Sequence, residues 1–132
     1  DKEYKEALIR LEDFQWINIL WYFDKSQPTK VLTEKSPYKG APETLGTFAT
    51  RSPSRPNPIA LSCVQITYID MDNAVIGLNY IDAAHGSPVL DIKPYMPSLD
   101  RVETPDMPHW CKSWPYSIEK STDFDWSSVF NF

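Results

Sequence analysis

Apolar and polar residues change rhythm several times along the chain, and each rhythm predicts an element. Between residues 3 and 11, Ala7, Leu8 and Leu11 recur at helical spacing among charged neighbours, which predicts a short amphipathic helix of about two turns. Trp16, Ile17, Ile19, Leu20, Trp21, Tyr22 and Phe23 then form a nearly continuous aromatic and β-branched run, the pattern of a strand buried on both faces. Residues 24–45 lose that pattern and collect Lys, Pro, Ser, Thr and Gly, so they read as a long loop with secondary structure confined to short pieces. Residues 59–69 and 74–81 are two β-rich runs joined by Asp70, Met71, Asp72 and Asn73, whose short polar side chains supply turn geometry; this predicts a hairpin. A further strand is predicted at residues 89–92, stopped by Pro94 and Pro97, and the remainder is irregular until Trp110. With no internal repeat, low-complexity tract or interior linker, residues 1–132 read as one mainly β domain.

Composition sharpens this picture. Twelve prolines against four glycines predict loops that are long but ordered, because φ is locked at many corners. Five tryptophans suit a β-type core or a subunit interface. Cys63 and Cys111 stand far apart with no second pair, so neither a disulfide framework nor a zinc site is predicted, and no metal is expected. The apolar runs are too short for a membrane span and there is no signal-type N-terminus, so the sequence predicts a cytoplasmic chain without a membrane partner.

The net charge of −5 argues against a surface coated in positive charge, but the charge is uneven. Residues 25–55 carry Lys25, Lys30, Lys35, Lys39, Arg51 and Arg55 against only Glu34 and Glu43, whereas residues 67–132 are strongly acidic. Two readings stay open: one cationic face aimed at a phosphate backbone, or a loop merely solvated by lysines.

The most informative stretch is Gly46 to Ser62, GTFATRSPSRPNPIALS. Pro53, Pro56 and Pro58 stiffen the backbone beside Arg51 and Arg55, so both guanidinium groups start with little entropy to lose, which favours bidentate capture of a carboxylate or phosphate. Ser52, Ser54 and Asn57 add short polar groups without blocking approach. The alternative is that the arginines pair with acidic residues and the prolines only shape the start of a strand.

These residues carry a resemblance. GTFATRSPSRPNPIALS, HGSPVLDIKPY at residues 85–95, YKEALIRLEDFQWINILWYFDKS at residues 4–26 and the Trp-containing stretch from Met107 to Trp114 together resemble the TsaA-like (TrmO) family. The resemblance implies a small β-barrel with a short N-terminal helix and long ordered loops, a homodimer, and S-adenosylmethionine (SAM) bound outside a Rossmann architecture; no Gly-x-Gly-x-x-Gly follows a strand here. It also implies methyl transfer from SAM to N6 of N6-threonylcarbamoyladenosine, the base beside the anticodon of certain tRNAs. The family's first N-terminal strand is missing before Asp1, which suggests an incomplete N-terminus; a bare sheet edge would otherwise need covering, for example by the aromatic stretch from Phe124 to Phe132 or by a second subunit.

Carried over residue by residue, the resemblance places Asp24, Lys25, Arg51, Leu61, Ile81, Asp82, Ala83 and Ala84 at the cofactor. Asp24 stands where the family commonly has His, and His85 where it has Asp. Arg51 is expected near the SAM carboxylate or the substrate's threonyl carboxylate. Arg55, Asn57, Lys35, Lys39 and Lys93 are candidates for substrate or RNA, with Lys25 and Lys30 as further phosphate contacts. The acceptor nitrogen is urea-like and gains from a general base, for which Asp91, Tyr95 and Asp82 are the candidates; each equally suits turn capping or ion pairing. Two other readings remain: a non-catalytic SAM- or RNA-binding module of the same fold, and a methyltransferase for another acceptor.

Overall fold

The structure is a computed structural model that describes residues 1–131. It divides into two compact units. The first comprises Asp1–Lys25 and Ile59–Arg101, and the second Ser26–Pro58 with residues 102–131.

The first unit is a four-stranded antiparallel sheet. Its strands are β1 (Trp16–Tyr22), β4 (Ile59–Asp70), β5 (Val75–Leu78) and β6 (Val89–Pro94), in the order β5-β4-β1-β6. β1 alternates strictly, with Ile17, Ile19 and Trp21 buried and the residues between them half-buried. The expected strand buried on both faces is thus corrected: one face holds the core and the other is partly open. The core joins these three side chains to Val64, with Ile66, Ile76, Leu78, Ile81, Ala83 and Ile92 packed around them. Trp21 meets its polar requirement by donating Nε1–H to Ser62 Oγ at 2.9 Å on the neighbouring strand.

The predicted hairpin is present as β4 and β5. Asp70 Oδ1 accepts from the N–H groups of Asp72 and Asn73, both at 3.1 Å, so the acidic residue builds the turn that its position suggested. The predicted helix is realised as two 3-10 segments, Lys2–Leu8 and Leu11–Asp13, broken at Arg10, whose φ of 68° cannot continue a right-handed helix. Only Leu8 of its apolar positions is fully buried.

The expected closed barrel is not formed among the described residues. β5 and β6 lie at the sheet's edges; β5 is only four residues long, and β6 ends at Pro94, which has no N–H to extend a ladder.

The second unit is organised differently. Within the predicted loop lies a short hairpin of β2 (Thr33–Lys35) and β3 (Thr44–Gly46). Among the described residues, the Trp and Phe rings of the C-terminal third all join one aromatic cluster around Tyr38: Trp110 stacks on Tyr38 at 5.3 Å between centroids, Trp114 meets it edge-on at 5.2 Å, and Trp126, Phe124 and Phe130 continue the contact chain. Most tryptophans therefore fill an irregular aromatic core rather than the β-sheet core that composition suggested. The stretch beginning at Phe124 finds its strand-like partner here too, through a bridge between Phe130 and Tyr38, not as a ladder on β6; Phe132 lies outside the described residues. Neither cysteine is in a disulfide, and among the described residues no helix is long and apolar enough to cross a membrane.

Candidate functional site

On the four-stranded unit, the end of β1 gathers three segments. Tyr22 pairs with Ile59 at the start of β4 and donates its N–H to Pro88 O at 2.9 Å, just ahead of β6. Asp24 and Lys25 follow directly. The turn from Ala84 to Ser87 closes by Ser87 N–H to Ala84 O at 3.1 Å, with Gly86 at φ 87°, the positive value that the third position of a type II turn demands. Ser87 Oγ then donates to Asp24 Oδ1 at 3.1 Å, while Lys25 Nζ lies 3.7 Å from Asp24 Oδ2. Asp24 thereby ties the turn to the strand end. Ser87 escaped the sequence reading, although the Gly-Ser-Pro string contained it.

Residues 81–84 run extended. Ile81 and Ala83 pack on the core while Asp82 and Ala84 are exposed, an alternation that assigns the first two to folding and leaves the latter two facing solvent. Leu61, Leu20 and Asp91 form one row across β4, β1 and β6 on the more open face, with Asn18 and Lys93 in the adjacent row.

The three base candidates are not equivalent. Asp91 receives a 2.7 Å ion pair from Lys93 and the Ile92 N–H at 2.9 Å. The Lys93 hydrogen bond is the main reason that the Asp91 carboxyl is held below the usual carboxylate range, outweighing slight desolvation. Tyr95 sits at the opposite end of β1 from Asp24, its N–H bonded to Trp16 O at 3.0 Å, so the seven-residue strand separates their backbones by about 20 Å. The structure does not bring Tyr95 to Asp24.

The second unit holds the arginine loop. Thr47 and Thr50 are buried, and Thr50 Oγ1 donates to Thr47 O at 2.9 Å. Arg55 is half-buried and donates Nη1–H to Thr50 O at 3.3 Å and Ser52 O at 3.2 Å, so its guanidinium braces the loop from within. Arg51 and Asn57 are exposed on the same loop. Lys35 donates to Thr44 Oγ1 at 2.7 Å across the β2–β3 hairpin, and Lys39 Nζ lies 3.5 Å from Ser127 O; both side chains are exposed. The predicted site residues thus fall into two groups: Asp24, Lys25, Leu61, residues 81–84, Asp91, Lys93 and Tyr95 on the sheet unit, and Arg51, Arg55, Asn57, Lys35 and Lys39 on the loop unit. A shallow hollow lined by residues 12–15 and 66–69 includes none of them.

The family model of the tRNA-methyltransferase O N-terminal domain matches residues 1–101. The chain belongs to this family. Among TrmO-family relatives, it is 39% identical over 100 residues to an S-adenosyl-L-methionine-binding protein of Archaeoglobus fulgidus, covering 76% of this chain and 68% of that one. It is 37% identical over 100 residues to the tRNA (adenine(37)-N6)-methyltransferase of Escherichia coli, covering 74% and 43%. The crystal structure of TrmO from Pseudomonas aeruginosa superposes with a TM-score of 0.59 at 34% identity, over 76% of this chain and 40% of that chain. The chain therefore spans less than half of the TrmO enzymes it matches. The resemblance read from the Arg-Ser-Pro and Asp-Ile-Lys-Pro-Tyr strings is borne out, as is the mainly β fold.

Proposed function

We propose that the protein is a SAM-dependent tRNA methyltransferase that modifies N6 of N6-threonylcarbamoyladenosine next to the anticodon, working in the cytoplasm as a homodimer. The observation that carries this reading is that relatives named for SAM binding and relatives named for methylation of N6 of adenine 37 both match more than 70% of this chain. The residues present fit SAM chemically. On the sheet unit, the Asp24 carboxylate suits an ammonium or ribose hydroxyls, exposed Leu61 suits an apolar contact, and the turn around Gly86 leaves its backbone open because no side chain crowds it. On the loop unit, exposed Arg51 suits a carboxylate. SAM would supply the methyl group from its sulfonium, which needs little help in leaving.

The chain's own tasks are then positioning, exclusion of water and removal of a proton from the acceptor nitrogen. For the last task Asp91 is a poor candidate, since Lys93 stabilises its anion and so weakens it as a base, and Tyr95 lies at the far end of β1 from Asp24. Asp82 is better placed: it is exposed and in no ion pair among the described residues. Lys35 and Lys39 lie on a segment with a cationic surplus and suit tRNA phosphates, with Asn57 and Lys93 as further contacts. The exposed Ile59 and Leu61 on the more open sheet face support a homodimer, because paired subunits would bury them.

The test is to incubate the protein with labelled SAM and with tRNA that carries or lacks the threonylcarbamoyl group, then to analyse nucleosides by mass spectrometry. The expected product is methylated N6-threonylcarbamoyladenosine only from the modified tRNA. Methylation of unmodified tRNA would move the acceptor, and SAM binding without any methylated nucleoside would favour the non-catalytic module. The Archaeoglobus relative, named only for SAM binding and covered over 68% of its length, is what keeps that second reading alive.

A further inference from the structure

The most conspicuous apolar group on the surface of the loop unit is Phe48, 82% exposed although it sits between two buried threonines. Its backbone is held from several sides. Thr47 N–H donates to Leu32 O at 2.9 Å and Thr47 Oγ1 to Val31 O at 3.2 Å, while Thr50 closes the turn through both its N–H and its hydroxyl onto Thr47 O. Arg55 then clamps Thr50 O from the far side of the loop. A ring at the tip of such a turn cannot collapse onto its own unit, so its apolar surface stays in water. The strand-side neighbours bonded to Thr47 are apolar and exposed as well: Leu32 is 66% and Val31 47% accessible.

We propose that Phe48 is a stacking platform for an unpaired base of the RNA substrate, with Leu32 and Val31 as its apolar apron. The inference rests on the tRNA reading above and names a recognition element for it. Three features carry it. A ring carried on a braced turn leaves little backbone freedom to lose when a base stacks on it. Cations flank the ring along the chain, with Lys30 next to Val31 and Arg51 three residues after Phe48, and the whole 25–55 stretch holds only two carboxylates. That charge suits a phosphate backbone threading past the ring and is unsuited to an ordinary apolar protein interface.

The test measures tRNA binding by fluorescence anisotropy at several salt concentrations for the wild-type chain, Phe48→Ala, Phe48→Leu and Phe48→Tyr, with light scattering for particle mass. Stacking predicts a loss of affinity of at least about fivefold for Ala, a loss for Leu, retention for Tyr, and an unchanged salt slope throughout. An anticodon stem-loop made abasic at the stacked nucleotide should bind wild type and Phe48→Ala equally. Wild-type binding that Phe48→Ala leaves intact overturns the platform alone, whereas absence of wild-type binding sinks the tRNA reading itself and the platform with it. A Phe48→Ala chain of lower particle mass than wild type would make the ring a subunit contact and overturn the proposal. Circular dichroism on each variant separates these outcomes from misfolding.

Discussion

Ser87 Oγ donates to Asp24 Oδ1 at 3.1 Å, linking the turn before β6 to the end of β1 across 63 positions of chain. The bond is part-buried and neutral to charged, so it stabilises by about 1.5 kcal/mol after exchange with water. Its larger effect is geometric, since it holds the turn whose backbone lies beside Asp24.

Ser87→Ala should therefore lower stability modestly, by about 1–1.5 kcal/mol, while weakening SAM affinity several-fold. Asp24→Asn, which keeps an acceptor for Ser87, should retain the turn yet lose affinity if the carboxylate also meets SAM. Calorimetric SAM titration of both variants separates the roles: equal behaviour of Ser87→Ala and wild type would remove the bond from any part in binding.

Gly86 adopts φ 87° and a Cβ there would meet nothing within 4 Å. Gly86→Ala should accordingly cost about 1 kcal/mol through backbone strain alone, without a steric clash. Urea unfolding checks this; a loss above about 3 kcal/mol would mean that the open space is not available.

The Lys93 hydrogen bond lowers the Asp91 pKa from its ordinary value. Lys93→Met should raise the Asp91 pKa toward its ordinary value, visible in a carboxyl NMR titration. If Asp91 is not the base, the acid limb of the methylation pH profile should stay in place in this variant. A limb that moves up together with the Asp91 titration would return Asp91 to the chemistry.

Asp70 offers a pH test of the fold. Its pKa is lowered chiefly by the Asn73 side chain, whose Nδ2 donates to Oδ2 at 2.8 Å, with the Asn73 and Asp72 backbone N–H groups adding to the effect. A carboxyl whose folded pKa lies below its unfolded value contributes stability that is present above the unfolded pKa and lost as pH falls through the folded one. Wild type should thus lose stability relative to Asp70→Asn as pH is lowered below about 4, with the two curves parallel at neutral pH. Thermal melts across that window check the sign.

Ile17 is fully buried and central to the sheet's core, and Ile17→Ala should destabilise by about 2–5 kcal/mol. Ser62→Ala strands the Trp21 indole N–H in a buried site and should cost about 1–3 kcal/mol, more than an exposed serine would. Chemical denaturation measures both.

Much of the sheet was legible beforehand because local signals and tertiary environment agreed. The aromatic run of β1, the Asp70–Asn73 turn and the prolines after β6 each act over a few residues, and strand geometry reads such short-range patterns directly. The arginine loop was equally visible as a proline-braced string. What that string could not show is that Arg55 spends its guanidinium on Thr50 O and Ser52 O, since a hydrogen bond to a backbone carbonyl leaves no trace in residue type.

By itself, the amino-acid order determined the family, the mainly β composition of the fold and which residue types carry chemistry, because those follow from motif and periodicity. Only the tertiary structure decided that the β1 face opposite the core is partly open, that Trp110, Trp114 and Trp126 gather with Tyr38, and that Asp24 meets Ser87. Those outcomes depend on contacts between residues tens of positions apart, and the energy of such a contact is set by which surfaces remain to be buried once the strands have paired.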